Sequence, residues 1–127
     1  MVVLCLFAGL QTNAQLFQLH DYHPAEEYEN VHVEEISSDS LASVFLIHIR
    51  ETVPLHRHNW HTEIVYVLSG SAIMQLGEEG HDLESGQVIT IPMGTAHSVE
   101  VTSQEPLVVL SVQSPRFRGK DRELLGR

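Results

Sequence analysis

The chain has 127 residues, which is enough for one domain. It is 43% hydrophobic and 19% charged, a composition typical of a globular protein and not of a disordered one. The formal net charge is −10, and five of the seven basic residues lie in the last twelve positions. Nucleic acids and anionic membrane surfaces are therefore disfavoured as partners, because both need a basic footprint on the protein.

The chain opens with an apolar run, Met1–Gly9, which is too short to span a bilayer. Thr12 and Ala14 follow it, small residues at the positions that a signal peptidase reads. The pattern predicts a signal peptide over residues 1–14, so we expect a secreted or periplasmic protein whose mature form has no membrane-inserted segment. The only cysteine, Cys5, would be lost with that peptide. The alternative is a buried N-terminal strand in a cytoplasmic protein.

Beyond an N-terminal segment at 15–40, short runs of β-branched and aromatic residues alternate with turn residues, and no helical period separates them. Evenly spaced short strands favour a closed all-β sandwich or antiparallel barrel, here one domain over 41–115. The last residues, 116–127, form a basic tail that we expect to pack loosely or extend. A further hypothesis is that this tail docks on the acidic body of the same or a partner subunit. The predicted strands are 43–50, 53–58, 63–68, 71–76, 81–83, 88–91, 97–101 and 107–112.

Two histidines in the second predicted strand are the first sign of a site. His56 and His58 are two residues apart, so in a strand both side chains point to the same face. Glu63 begins the next strand after a turn and can face the same cavity. If that face is the interior of a barrel, all three side chains can reach one cation.

His97 lies far along the chain, where a Pro92-Met-Gly94 turn leads into another strand. Three neutral imidazoles and one carboxylate form a mixed nitrogen and oxygen site. Such a set suits Fe(II), Mn(II), Ni(II), Zn(II) or Cu(II), whereas Ca²⁺ and Mg²⁺ prefer oxygen ligands. Four protein ligands leave one or two positions on an octahedral metal for a substrate or O₂.

The two stretches resemble the paired motifs of the cupin superfamily. His56-x-His58-x4-Glu63-x6-Gly70 is similar to the first motif, and Gly86-x5-Pro92-x-Gly94-x2-His97 is similar to the second. The resemblance implies a single-domain jelly-roll barrel of six to eight strands, often dimeric. It also implies one divalent metal held by His56, His58, Glu63 and His97.

The sequence departs from the family pattern at two positions. Arg50 stands where a glycine often precedes the first histidine, and Val101 stands where an asparagine often ends the second motif. Neither position is a ligand in the family pattern, so the metal prediction is unaffected. Val101 makes the lining of the expected site more apolar.

Glu63 and His61 are the candidate catalytic residues. Glu63 could serve as a ligand only, or as a base if it leaves the metal. His61 could be an extra ligand, a base beside the metal or a surface residue, and we expect it at the mouth of the pocket or plainly exposed.

Two functions remain open on these residues, because one fold hosts many chemistries. The first is a metalloenzyme acting on a compact, partly apolar organic molecule, by dioxygenase, lyase or isomerase chemistry. The second is an exported, non-catalytic module that binds a small ligand or a metal.

Overall fold

The computed structural model describes residues 14–126, so the predicted signal peptide lies almost wholly outside the described residues. Apart from one 3-10 turn at Leu19–Asp21, the regular structure of this range is entirely β. No helix within it is long and apolar enough to cross a membrane. The strands are β1 (Val31–Ser38), β2 (Ser43–Ile49), β3 (Thr52–His58), β4 (Thr62–Ser69), β5 (Ser71–Leu76), β6 (Glu79–Glu84), β7 (Val88–Ile91), β8 (His97–Val101), β9 (Leu107–Ser114) and β10 (Arg122–Leu124).

The strands form two five-stranded antiparallel sheets. One has the order β1-β2-β9-β4-β7, and the other has the order β10-β3-β8-β5-β6. The eight strands predicted from the sequence correspond to β2 through β9, and the predicted all-β, single-domain jelly-roll architecture is confirmed.

The core lies between the inner faces of the two sheets. In β4 every second residue is buried, which places Glu63, Val65 and Val67 on the inner face and Tyr66 outside. Burial of this apolar face, worth about 25 cal/mol per Å² removed from water, holds the sheets together. The buried cluster comprises Ile49, Val65, Val67, Ala72, Met74, Leu83, Ile91, Val99, Leu107 and Val109.

Two strands lie in segments where the sequence predicted none. β1 belongs to the 15–40 segment and pairs along its length with β2. β10 belongs to the tail and pairs with β3, placing Arg122 opposite His58 and Leu124 opposite His56. The segment 122–124 therefore does not pack loosely, and it lies on the strand that carries two of the predicted ligands.

Candidate metal centre

Strands β3 and β8 bring the three motif histidines together. His56 and His97 are register partners in the β3–β8 ladder, and His58 lies two residues further along β3. All three are buried. Each offers one ring nitrogen, and the three nitrogens lie within 4.8 Å of one another. The imidazoles of two distant motifs therefore form one cluster that could hold a metal ion.

The motif glycines make this approach possible. Gly94 has φ +78° and donates its N–H to the carbonyl of His58 at 2.7 Å, which ties the turn before β8 to β3. Gly70 has φ +80°, and a Cβ there would lie 2.7 Å from the carbonyl oxygen of Pro106. A side chain at either position would be strained, because L-residues rarely adopt this conformation.

Backbone carbonyls hold two of the imidazoles in the tautomer that a metal needs. Nδ1 of His56 lies 2.7 Å from the carbonyl of Pro54, and Nδ1 of His97 lies 2.9 Å from the carbonyl of Thr95. Each Nδ1 donates its hydrogen to a carbonyl, which leaves the Nε2 lone pair free as a ligand.

Glu63 faces this cluster with one oxygen and is held by the other. Oε2 lies 3.5 Å from Nε2 of His58 and 3.5 Å from Nε2 of His97. Oε1 accepts hydrogen bonds from the hydroxyl of Ser111 at 2.5 Å and from the amide of Gln113 at 3.4 Å. Two side chains of β9 therefore orient the carboxylate so that Oε2 points at the imidazoles.

These separations fit a shared cation. Two ligand atoms that each lie about 2.1 Å from one metal are about 3.0 to 3.4 Å apart, depending on the angle between the bonds. The 3.5 Å distances from Oε2 to the two Nε2 atoms are close to that range. The three imidazole nitrogens, with a carboxylate oxygen next to two of them, suit a divalent transition metal.

The electrostatics also keep the cluster in its metal-ready form. Burial alone would raise the pKa of Glu63, but the neighbouring His58 and His97 and the hydrogen bond from Ser111 outweigh it and hold the pKa well below its usual range. Burial, with the neighbouring His97, lowers the pKa of His56 to about 4. An ionised carboxylate and a neutral imidazole are the protonation states that metals bind.

The cluster forms part of the lining of a mostly apolar cavity of about 190 Å³. Its walls are mostly aliphatic, including Val65 and Val99, and the polar groups among the described residues gather near the cluster. An apolar cavity of about 150 Å³ accommodates benzene, so this one holds a molecule of roughly that size or slightly larger.

His61 is buried, with 1% of its surface exposed, so the expectation that it lies at the pocket mouth or in solvent is wrong. Its Nδ1 contacts a carboxylate oxygen of Asp121, which is 4% exposed, and its ring stacks on His58 with 4.2 Å between centroids. Burial and His58 lower the pKa of His61, although Asp121 acts in the opposite direction. The carboxylate thereby holds a ring that packs directly on a predicted ligand.

Besides the β10–β3 pairing, two acids of the tail contact the body. Asp121 accepts the N–H of Trp60 at 2.7 Å besides contacting His61. Glu123 accepts two hydrogen bonds from Arg57, at 2.9 and 3.1 Å, so that arginine faces away from the cavity as its position between two inward histidines predicts. The hypothesis that basic tail residues dock on acids of the body does not describe these contacts.

Four residues beside the cluster were missed in the sequence: Ser111, Gln113, Asp121 and Arg122. Ser111 and Gln113 flank Val112 in β9, and polar side chains on the inner face of an apolar strand were a signal that could have found them. Asp121 and Arg122 had no such signal, because they reach the site only through long-range pairing with β3.

Comparison with known proteins shows the family. The cupin domain model matches residues 43–113, from the start of β2 almost to the end of β9 and across both motifs. The chain belongs to the cupin family.

Curated relatives match the same portion of the chain. An uncharacterized protein of Methanocaldococcus jannaschii is 35% identical over 71 residues, 56% of this chain and 57% of that protein. Mannose-1-phosphate guanylyltransferase 2 of Escherichia coli O157:H7 is 34% identical over 71 residues, which are 15% of its length. The chain thus spans little more than half of the first relative and a small part of the second.

Solved structures share the fold at low sequence identity. A double-stranded β-helix protein of Klebsiella pneumoniae superposes with a TM-score of 0.75 at 18% identity, covering 91% of this chain and all of that one. KdgF from Halomonas gives 0.71 at 19% identity, covering 84% and 97%. The Streptomyces nucleoside dehydratase Pac13, solved with uridine, gives 0.69 at 16% identity, covering 80% and 82%.

Proposed function

We propose that this protein is a metalloenzyme that acts on a compact, largely apolar organic molecule inside the barrel. One observation carries the proposal: three buried imidazoles and an oriented carboxylate converge in the lining of a mostly apolar cavity. His56, His58, Glu63 and His97 would hold one divalent transition metal, drawn from Fe, Mn, Ni, Zn and Cu. A bound metal of this kind supplies Lewis acidity and open positions for substrate oxygens.

The residues of the chain supply binding, orientation and exclusion of water. Aliphatic walls select an apolar body and keep bulk water from the reacting atoms, which strengthens every charge interaction in the cavity. Ser111 and Gln113 hold Oε1 of Glu63, so only Oε2 is directed at the cluster. Glu63 remains a candidate base, because its ionised oxygen lies next to the space that a substrate would occupy.

The position of His61 favours a supporting role over direct catalysis. It is buried beneath His58 and paired with Asp121, and it is not among the side chains that line the cavity. We therefore assign it the task of fixing the ring of His58, with Glu63 as the stronger catalytic candidate.

The second candidate function is a non-catalytic module that binds a small ligand or a metal. The same cavity favours it, because ligand pockets are concave and mostly apolar with few polar groups. Turnover separates the two functions. Product formation that stops on chelation and returns with one metal favours the enzyme, whereas saturable binding without product favours the module.

Metal content tests the proposal directly. We expect the chain from Gln15 onward, purified without a metal-chelating tag, to contain about one transition metal per chain by elemental mass spectrometry. His97→Ala should lose it, because His97 supplies one of the three converging nitrogens. His81→Ala is the matched control, since His81 is exposed on β6 and distant from the cluster in the fold.

The outcomes of this experiment are distinct. Metal in the wild type and in His81→Ala, with none in His97→Ala, supports the site and names the ion. Wild-type protein that stays metal-free after incubation with each of the five metals contradicts the metalloenzyme. The ligand-binding module would then be the better description of the cavity.

We also propose that the protein is exported and forms a homodimer. Export is supported by the signal-like residues 1–14. A dimer is supported by exposed apolar side chains on the outer face of β4 and β7, where Tyr66 is the register partner of Val88. Native mass spectrometry of protein recovered from an exporting host should give a dimer of chains that begin near Gln15. A monomer would contradict the proposed homodimer, and a chain that keeps residues 1–14 would contradict the proposed export.

A further inference from the structure

Arg122 is the one arginine among the described residues that lines the cavity. It lies in β10 directly opposite His58, and residues paired in this way share a face of the sheet. Its neighbour Glu123 therefore points to the other face, where it binds Arg57. Because side chains alternate along β10, Arg122 lies on the face of the sheet that carries the metal-binding histidines.

This guanidinium, like those of Arg116 and Arg118, has no carboxylate partner within salt-bridge distance among residues 14–126, but it is the only one of the three that lines the cavity. Arg122 interacts electrostatically with the site: although the residue is exposed, its partial burial lowers the pKa of the guanidinium, and the charge of Glu63 acts in the opposite direction. An unpaired guanidinium in the lining of a mostly apolar cavity is a site for an anionic group.

We propose that Arg122 binds the carboxylate of the substrate, so that the cavity takes a compact apolar carboxylic acid. The inference rests on the proposed function and narrows its substrate class. The planar fork of arginine matches a carboxylate with two parallel hydrogen bonds. The apolar body of the acid would occupy the cavity of about 190 Å³, which is large enough for a benzene ring or a branched chain.

A carboxylate fits the site better than a phosphate ester does. A phosphate group carries up to two negative charges and three strong acceptors. Arg122 is the only Lys or Arg side chain among the described residues that lines the cavity, and most of the remaining walls are apolar. One guanidinium balances the single charge of a carboxylate, and beside the proposed metal the described lining offers no further Lys or Arg for the second charge of a phosphate.

Calorimetric titration with matched probes tests the proposal. Benzoate and 3-methylbutanoate would each be compared with their neutral amides, on the full chain as purified and after metal loading. We expect at least one acid to bind about 10- to 100-fold more tightly than its amide, because a hydrogen bond to a charged group is worth more than a neutral one. Arg122→Gln should reduce that ratio to near one, and Arg122→Lys should give an intermediate value.

Arg118→Gln is the matched control, since Arg118 is an exposed arginine of the same tail and does not line the cavity. Thermal melting of each variant shows whether β10 has stayed in place. The proposal is overturned if neither acid binds more tightly than its amide, if Arg122→Gln keeps the preference, or if phenyl phosphate binds more tightly than benzoate.

Metal analysis of the same samples separates this inference from the proposed function. If the protein binds metal but shows no Arg122-dependent preference for acids, the proposed metal site is supported and the proposed carboxylate site is contradicted. If the protein binds no metal but still prefers the acids through Arg122, the carboxylate site is supported and the proposal of a metalloenzyme is contradicted.

Discussion

Asp121→Ala should destabilise the protein by about 2–4 kcal/mol and weaken metal binding about 10- to 100-fold. The carboxylate of Asp121 is the acceptor for the N–H of Trp60 and the partner of Nδ1 of His61, and its removal leaves both donors without a partner. Each buried donor that loses its acceptor costs about 1–3 kcal/mol. Metal affinity should fall because His61 would no longer hold the ring of His58 in place.

Urea unfolding and a metal titration with a competing chelator measure the two effects. Glu123→Ala is the matched control: it removes the other acid of the tail, whose pair with Arg57 is exposed. It should lower stability far less, since surface ion pairs contribute little. Equal losses in the two variants would show that the tail docks as a whole and that the buried pair has no special part.

Asp121→Asn separates packing from charge. The amide keeps an oxygen for the N–H of Trp60 and nearly the same shape, but it cannot act as the anionic partner of His61. We expect a smaller loss of stability than in the alanine variant. A metal affinity equal to that of the wild type in Asp121→Asn would argue that the shape of the pair, and not its charge, supports His58.

The part of the site that comes from the two sequence motifs could be predicted, because it depends on the spacing of residues that are close in the sequence. Strand alternation places His56 and His58 on one face, and the glycine turn before His97 brings the second motif onto β3. The inward positions of Val65 and Val67 follow from the same period of two in β4. These relations need only the spacing of residues within a few positions of one another.

The tail half could not be predicted in this way. Arg122–Leu124 is a strand of only three residues, and all of them are exposed. The segment is therefore too short, and too little buried, to show the alternation of apolar and polar residues that predicts a strand. It is held by contacts across about sixty positions, including the N–H of Trp60 to Asp121. The prediction for His61 was wrong for the same reason. A histidine on a turn with no partner nearby in the sequence is predicted to be exposed, but its partner, Asp121, lies near the other end of the chain.

Metal removal should lower the stability of the protein, and acid should lower it further. A ligand that binds only the folded state stabilises it by about 4 kcal/mol when its concentration is 1,000 times Kd, so chelation should reduce the free energy of unfolding by an amount of that order. Urea unfolding with and without chelator at pH 7.5 measures the loss. No change on chelation, in protein shown to contain metal, would contradict a cation bound at the four core ligands.

The pH dependence of the chelated protein then reports on His56. Its pKa is about 4 in the folded chain, against 6.5 for a free imidazole, so between these values the unfolded chain binds a proton that the folded chain does not. Stability must therefore fall as pH falls through this window. Between pH 7.5 and 5.0 His56 contributes at most about 2 kcal/mol of that loss, and less where water reaches the ring. Glu63, whose pKa is also held low, adds a loss in the same direction only below its ordinary value of 4.5. The loss of unfolding free energy between pH 7.5 and 5.0 should therefore be smaller in His56→Gln, because glutamine is polar but does not titrate. If the loss is the same in that variant and in the wild type, other groups cause the acid sensitivity.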